Sequence, residues 1–248
     1  MALAPAPAAP PQDAVLRALG FRPGRTCPSP AALEAVAAGM AEAAPLLQIL
    51  VLEAEAGLDC AGPEALLRVP AHALSWRSTA LAAVLGGAER VTLFCGTAGA
   101  AVTEAVRAAW SRGEYARAVV LDACGTAAVQ EAMDGVLGRA RQRAAAHGFR
   151  LTAPYSPGYG DWDVGDTAAL LAALGARRIG LQASDASYLV PEKSFCGAVG
   201  WMRGRADLPQ ASGCAICFLP GCRYRRSPPV GPPGVLSRLP EAGGPGEG

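Results

Sequence analysis

Aromatic side chains are scarce, at 6% of the 248 residues. Charge is thin as well, at 17%, and its two signs nearly cancel to a net +1. With no basic patch interleaved with aromatics, nucleic-acid binding has no electrostatic support. Histidine is reduced to His72 and His147. No Ser/His/Asp arrangement is legible, so hydrolytic catalysis is poorly supported. Long apolar runs are missing too: the densest, such as residues 45–51, are too short to span a bilayer. Met1-Ala-Leu-Ala-Pro5 has neither a charged n-region nor an apolar h-region and does not read as a secretory signal. The default expectation is a cytoplasmic protein that engages neither membrane nor nucleic acid.

What is present is small and apolar. Hydrophobic residues make up 51% of the chain, with Ala and Gly abundant, enough for one substantial close-packed core. Residues 1–11 are Pro/Ala-rich and residues 227–248 Pro/Gly-rich, so both are expected to be disordered. The ordered body is then one domain over residues 12–226. Eight cysteines in a reducing compartment read as thiols or metal ligands rather than as a disulfide framework. Five of them, Cys27, Cys60, Cys95, Cys124 and Cys196, are scattered, and isolated buried cysteines act as small hydrophobes.

Periodicity predicts helices over 13–20, capped by Asp13 and ended by Gly20, and over 30–44, with Ser29 as N-cap and Pro30 in the first turn. Further helices are expected over 78–85 and 97–111. One long helix follows over 114–147, where Leu121, Cys124, Ala128, Ala132, Val136 and Ala140 recur every three or four residues. Strands are expected over 46–53 and 89–95, then over 149–153, 178–182 and 194–202, with a helix over 166–174 closed by Gly175. A mostly helical first part followed by a strand-rich second part reads as α+β, with a twisted, largely antiparallel sheet.

The most unusual segment is the loop Pro154-Tyr155-Ser156-Pro157-Gly158-Tyr159-Gly160-Asp161-Trp162. Gly158 and Gly160 can adopt positive φ and let a ligand approach the backbone. Tyr155, Tyr159 and Trp162 offer flat faces to an aromatic or cationic ligand. Asp161 could accept hydrogen bonds from an amine or a ribose. The plain alternative is a tight surface turn anchored by aromatics. A second constellation, Cys214-x-x-Cys217-x-x-x-x-Cys222, has a spacing common among Zn and Fe–S ligands. Its fourth ligand would be Cys196 or a small molecule; a redox dithiol and a cysteine-rich turn are the other readings. Phe94-Cys-Gly-Thr-Ala-Gly-Ala100 lacks a full phosphate-loop pattern and reads as a strand-to-helix turn.

Ser156-Pro-Gly-Tyr-Gly-Asp161 resembles the Pro-Gly-Tyr core of the activation (reactivation) domain of vitamin B12-dependent methionine synthase, in its stand-alone form. Ile179-Gly-Leu-Gln-Ala-Ser-Asp-Ala186 and Pro191-Glu-Lys-Ser194 resemble that family's next two segments in order. Upstream, Leu16-Arg-Ala-Leu-Gly20 and Leu121-Asp-Ala-Cys-Gly-Thr-Ala-Ala-Val129 resemble two more. The resemblance implies the family's α+β fold and an S-adenosylmethionine site lined by Tyr155, Ser156, Pro157, Gly158, Tyr159, Gly160, Asp161 and Lys193. It also implies support for the reductive remethylation of cob(II)alamin during methionine biosynthesis, as a methyltransferase component. The cobalamin is expected on a partner, a methionine synthase or other corrinoid protein, because neither histidine lies in an Asp-x-His-x-x-Gly signature. An external electron donor is implied as well.

Three positions depart from the family pattern. Pro154 stands where the family has Arg, Ala186 where it has Ser, and Gln130 where it has Glu. A Pro cannot hold a ligand carboxylate as Arg does; Arg150 and Lys193 are the candidate substitutes. The departures support an alternative, a non-catalytic metal-binding or corrinoid-protein-interaction module that no longer binds S-adenosylmethionine. If Cys214, Cys217 and Cys222 form a metal site, purified protein carries about one equivalent of zinc or iron per chain. Elemental analysis of wild type and Cys217→Ala checks this; a content far below that in wild type removes the site.

Overall fold

The computed structural model describes residues 2–5, 9–22, 24–61 and 65–203. In chain order the elements are β1 (Ala2–Pro5), α1 (Gln12–Ala18), α2 (Pro30–Ala43), β2 (Leu50–Gly57), β3 (Asp59–Ala61), β4 (Leu66–Val69), β5 (Leu74–Arg77), α3 (Thr79–Leu85) and β6 (Ala88–Thr97). They continue with α4 (Ala101–Ser111), α5 (Tyr115–Ala146), β7 (Arg150–Leu151), α6 (Asp166–Leu174), β8 (Gln182–Ala183), β9 (Leu189–Val190) and β10 (Ser194–Met202). The fold is α+β, and every strand pairing among the described residues is antiparallel.

The central sheet has the order β1-β2-β6-β10-β7, with a small β3-β4-β5 sheet and a β8-β9 hairpin beside it. The strand period of two sends neighbouring residues to opposite faces. Val51, Phe94, Phe195 and Val199 face α5, where Ala132 and Val136 meet them. Leu52, Leu93, Cys95, Cys196 and Ala198 face the other way, into a core shared with α6 and the small sheet. Both faces are covered, which is why β6 and β10 read as near-continuous apolar runs and not as alternating ones.

Helix α5 has 32 residues and is therefore about 48 Å long. Its first half is wrapped by α1, α2 and α4 around a core of small side chains. Ser29 caps α2 as its sequence predicts, accepting a hydrogen bond from the Ala32 amide at 3.2 Å. The approach of α2 to α5 is close: a Cβ on Gly39 would lie 2.3 Å from Val120 Cγ1. Farther along, Glu53 on β2 is only 5% exposed and is held by Arg139 and Arg143 of α5 at 2.5 and 2.6 Å. Among the described residues, no helix is long and apolar enough to cross a membrane.

Several expectations are corrected. The first part is less helical than expected: besides β2 and β6, both foreseen there, it holds β3, β4 and β5. Part of the amino-terminal arm expected to be disordered pairs with β2 as β1. The strand expected from residue 46 starts at Leu50, because Pro45 opens a 3-10 turn over Ala44–Leu46. The strand expected over 178–182 is mostly a 3-10 turn, Ala176–Ile179, bracketed by the left-handed glycines Gly175 and Gly180. The strand at 149–153 shortens to two residues, since Pro154 has no amide to continue the ladder. Asp13 pairs with Arg17 within α1 instead of capping it.

Gly39→Ala should lower stability by about 1–3 kcal/mol through overpacking against Val120. Gly138→Ala, in open space on α5, should instead raise it by about 0.5–1 kcal/mol. Urea unfolding of the two variants measures the difference in sign.

Candidate functional site

Residues 152–156 run along the outer edge of β10. The Thr152 amide donates to the Gly200 carbonyl at 2.9 Å, and Tyr155 and Ala198 exchange two backbone hydrogen bonds at 2.9 Å. The Ser156 hydroxyl donates to the Cys196 carbonyl at 2.8 Å. This fit requires Gly197: a Cβ there would lie 2.5 Å from the Tyr155 carbonyl oxygen and 3.0 Å from Ser156 Oγ. The loop then turns on itself. The Gly158 amide donates to the Trp162 carbonyl at 2.8 Å, the Tyr159 amide to Ser156 and the Trp162 amide to Tyr159. Gly158 and Gly160 hold φ of +87° and +57°, the conformations foreseen from their positions. Three amides of the loop, those of Gly158, Tyr159 and Trp162, thus close the turn on itself.

The three aromatic rings divide by role. Trp162 and Tyr155 are buried, stacked nearly parallel with centroids 6.3 Å apart, and Trp162 also packs on Trp76 at 5.0 Å. They are anchors. Tyr159 stands edge-on to Tyr155 at 5.8 Å and is 58% exposed. It is the ring that a ligand can reach.

Asp161 is occupied by the fold. Its carboxylate accepts from Ser78 Oγ at 2.5 Å, the Thr79 amide at 2.8 Å, the Ala80 amide at 2.9 Å and the Thr79 hydroxyl. Those groups are the amino-terminal turn of α3, whose free amides call for an acceptor. Partial burial alone would raise the Asp161 pKa, but the hydrogen bonds from Ser78, Thr79 and Ala80 together bring it down to about 2. An amine or ribose partner is therefore not required to explain this residue. The sequence flagged Ser78 only as a helix start; its pairing across 83 positions with Asp161 had no local signal.

Lys193 is the sole lysine of the chain. It precedes β10 and turns to α5, where its ammonium meets Asp122 at 2.7 Å and the Thr126 hydroxyl at 2.9 Å. Its stem lies over Gly125, where a Cβ would come within 3.1 Å of it. Two segments singled out separately in the sequence, 121–129 and 191–194, are thereby brought together. A cleft of about 270 Å³ opens beside them, lined by Leu19, Trp110, Val119, Asp122 and Thr126 among others; none of residues 155–161 lines it.

No family model matches the sequence, and neither does any curated protein sequence. Among solved structures, the chain is similar to the crystal structure of the MetH reactivation domain bound to AdoHcy. The TM-score is 0.53 at 11% identity, over 75% of this chain and 71% of that one. The fold resembles that of the MetH reactivation domain. At that identity the likeness to MetH is one of fold, and it agrees with the antiparallel α+β architecture described above.

The departures from the family pattern can be placed on this fold. Pro154 sits beside Tyr155 at the β10 edge, with Arg150 four residues earlier in β7. Ala186 lies in the turn joining β8 to β9, which the Ser184 amide closes by donating to the Tyr188 carbonyl at 2.8 Å. Gln130 is on α5 and donates to Asp134 at 3.1 Å. Cys214, Cys217 and Cys222 lie outside the described residues. No group of three or more metal-ligating side chains occurs among the described residues. Cys196, considered as a fourth ligand, is buried in the sheet, whereas Cys27 and Cys60 are exposed and not core hydrophobes.

Asp161→Ala should cost about 0.5–2 kcal/mol of stability, the usual value of a helix amino-terminal acceptor. Because the folded pKa is depressed, this contribution is present above the unfolded value near 4 and is lost as pH falls toward about 2. Denaturation midpoints of wild type and variant should therefore converge between about pH 4 and pH 2, which an acid titration at fixed urea measures.

Proposed function

We propose that this chain binds S-adenosylmethionine, or the demethylated S-adenosylhomocysteine, at the 155–161 loop, and that it serves as an accessory to cobalamin-dependent methionine synthesis. The observation that carries the reading is the likeness of fold to a MetH domain bound to AdoHcy, joined to a Pro-Gly-Tyr loop with one ring left exposed. Tyr159 would face the sulfonium or the adenine, both of which favour an aromatic wall. Tyr155 and Trp162 would hold Tyr159 in place. Ser156 and the β10 edge would set the depth of the ligand. S-adenosylmethionine supplies a methyl group for transfer to a reduced cobalt on a partner protein, leaving S-adenosylhomocysteine. The residues of this chain would act by positioning, and reduction of the partner's cob(II)alamin would need an external electron donor.

The residues fit the nucleoside and sulfonium better than the amino-acid end. Pro154 offers no charge to a carboxylate, and the Lys193 ammonium already pairs with Asp122. That observation favours a second reading, a corrinoid-protein-interaction module without S-adenosylmethionine binding, with Cys214, Cys217 and Cys222 as its possible metal ligands.

Calorimetry with S-adenosylmethionine separates the two. The first reading expects binding that Tyr159→Ala weakens about tenfold, equal to roughly 1.4 kcal/mol, with unchanged thermal stability of the free protein. No heat and no thermal stabilisation at millimolar ligand would sink it. Binding by Pro154→Arg alone, absent in the parent, would establish the second.

A further inference from the structure

Cys95 and Cys196 lie directly opposite one another where β6 pairs with β10. Both are fully or almost fully buried, at 0% and 7% exposure, and both face the α6 side of the sheet. In an antiparallel pair, facing residues alternate between those that exchange backbone hydrogen bonds and those that do not. The pattern here can be read from the neighbours. Ala198 exchanges its two backbone bonds with Tyr155, and the Gly200 and Cys196 carbonyls accept from Thr152 and Ser156. At these alternate positions β10 therefore turns its polar backbone outward, away from β6. On the other parity, the Ala98 amide donates to the Lys193 carbonyl at 2.8 Å across the two strands. Cys95–Cys196 is thus a non-hydrogen-bonded pair.

Such pairs bring the strands closest, with Cα atoms about 4.5 Å apart, inside the roughly 4.4–6.8 Å that a disulfide spans. The next pair of the same kind confirms the closeness: Ser194 Oγ and Thr97 Oγ1 are 2.9 Å apart. From this geometry we propose that Cys95 and Cys196 form a preformed site for a cross-strand disulfide, closed by a peroxide-class oxidant. Cys196 retains the residual exposure and reacts first. Its thiolate attacks the O–O bond to give a sulfenic acid and one water. The Cys95 thiol then displaces the sulfenic oxygen as a second water, so two thiol protons and two electrons pass to the peroxide. Burial pushes both thiols up to about 12, so the reaction is slow and proceeds through opening of the β10 edge. Cys124 is also buried but belongs to the core around α5 on the opposite face, and serves as an internal control.

The full chain, reduced and freed of reductant, is treated with hydrogen peroxide, alkylated under denaturing conditions and mapped by mass spectrometry. A peptide pair linked through Cys95 and Cys196 is expected, with Cys124 recovered as alkylated thiol. The link should vanish on reduction and be absent from Cys95→Ala and Cys196→Ala. Should either variant fail to fold, the wild-type map and its reduction control decide the question. The oxidised wild type should melt about 5 °C or more above the reduced form. Full oxidation of exposed Cys27 and Cys60 with Cys95 and Cys196 still free overturns the proposal. So does separate over-oxidation of the pair, or a linked form that melts lower than the reduced one.

Discussion

The candidate site is held in place by the contact between residues 152–156 and the outer edge of β10, and that contact closes because residue 197 has no side chain. With any Cβ there, the Tyr155 carbonyl would be pushed off the strand and its pair of bonds with Ala198 lost. Everything downstream in the loop depends on that docking. Tyr155 places Trp162 by stacking, Trp162 packs on Trp76, and Asp161 ties the far end of the loop to the first turn of α3. A loop fastened at both ends leaves Tyr159 exposed on a rigid base, so the proposed aromatic wall would cost little conformational entropy to order.

Helix α5 plays the corresponding part on the opposite side of the sheet. Its small-residue stripe lets α2 and the sheet approach closely, and its arginines satisfy the buried carboxylate of Glu53. A single buried charge with two guanidinium partners is costly to strip of either one. It ties the far half of α5 to β2, as the Lys193–Asp122 pair ties the near half to the start of β10. The Glu53 cluster and the Lys193–Asp122 pair fix the helix at points well separated along its length. Lys193 therefore has a structural use that its place in a family-like segment does not reveal.

Most helices were legible in the sequence because their signals are local. Ser29 with Pro30 marks the start of α2, Gly175 the end of α6, and the three-to-four-residue recurrence of Leu121 through Ala140 marks α5. The buried strands β6 and β10 were legible as apolar runs. The short strands were not, because two-residue pairings such as β7 and β8 carry no period to read. The loop between Pro154 and Trp162 stood out by composition, and its positive φ glycines follow from it. The roles of its side chains did not, because Trp162 and Tyr159 have similar local surroundings and opposite exposures.

By itself the sequence determined where most helices lie, where the long strands run, and which loop is irregular. These follow from backbone sterics and hydrophobic periodicity, which act over a few residues. Only the tertiary structure decided that Asp161 caps α3, that Lys193 meets Asp122, that Cys95 faces Cys196 and that Tyr159 is the open ring. Each of those depends on strand register and on contacts between groups from 71 to 101 positions apart or on the burial they create. Such partners are chosen by the packing of the whole domain and leave no mark in the local chain.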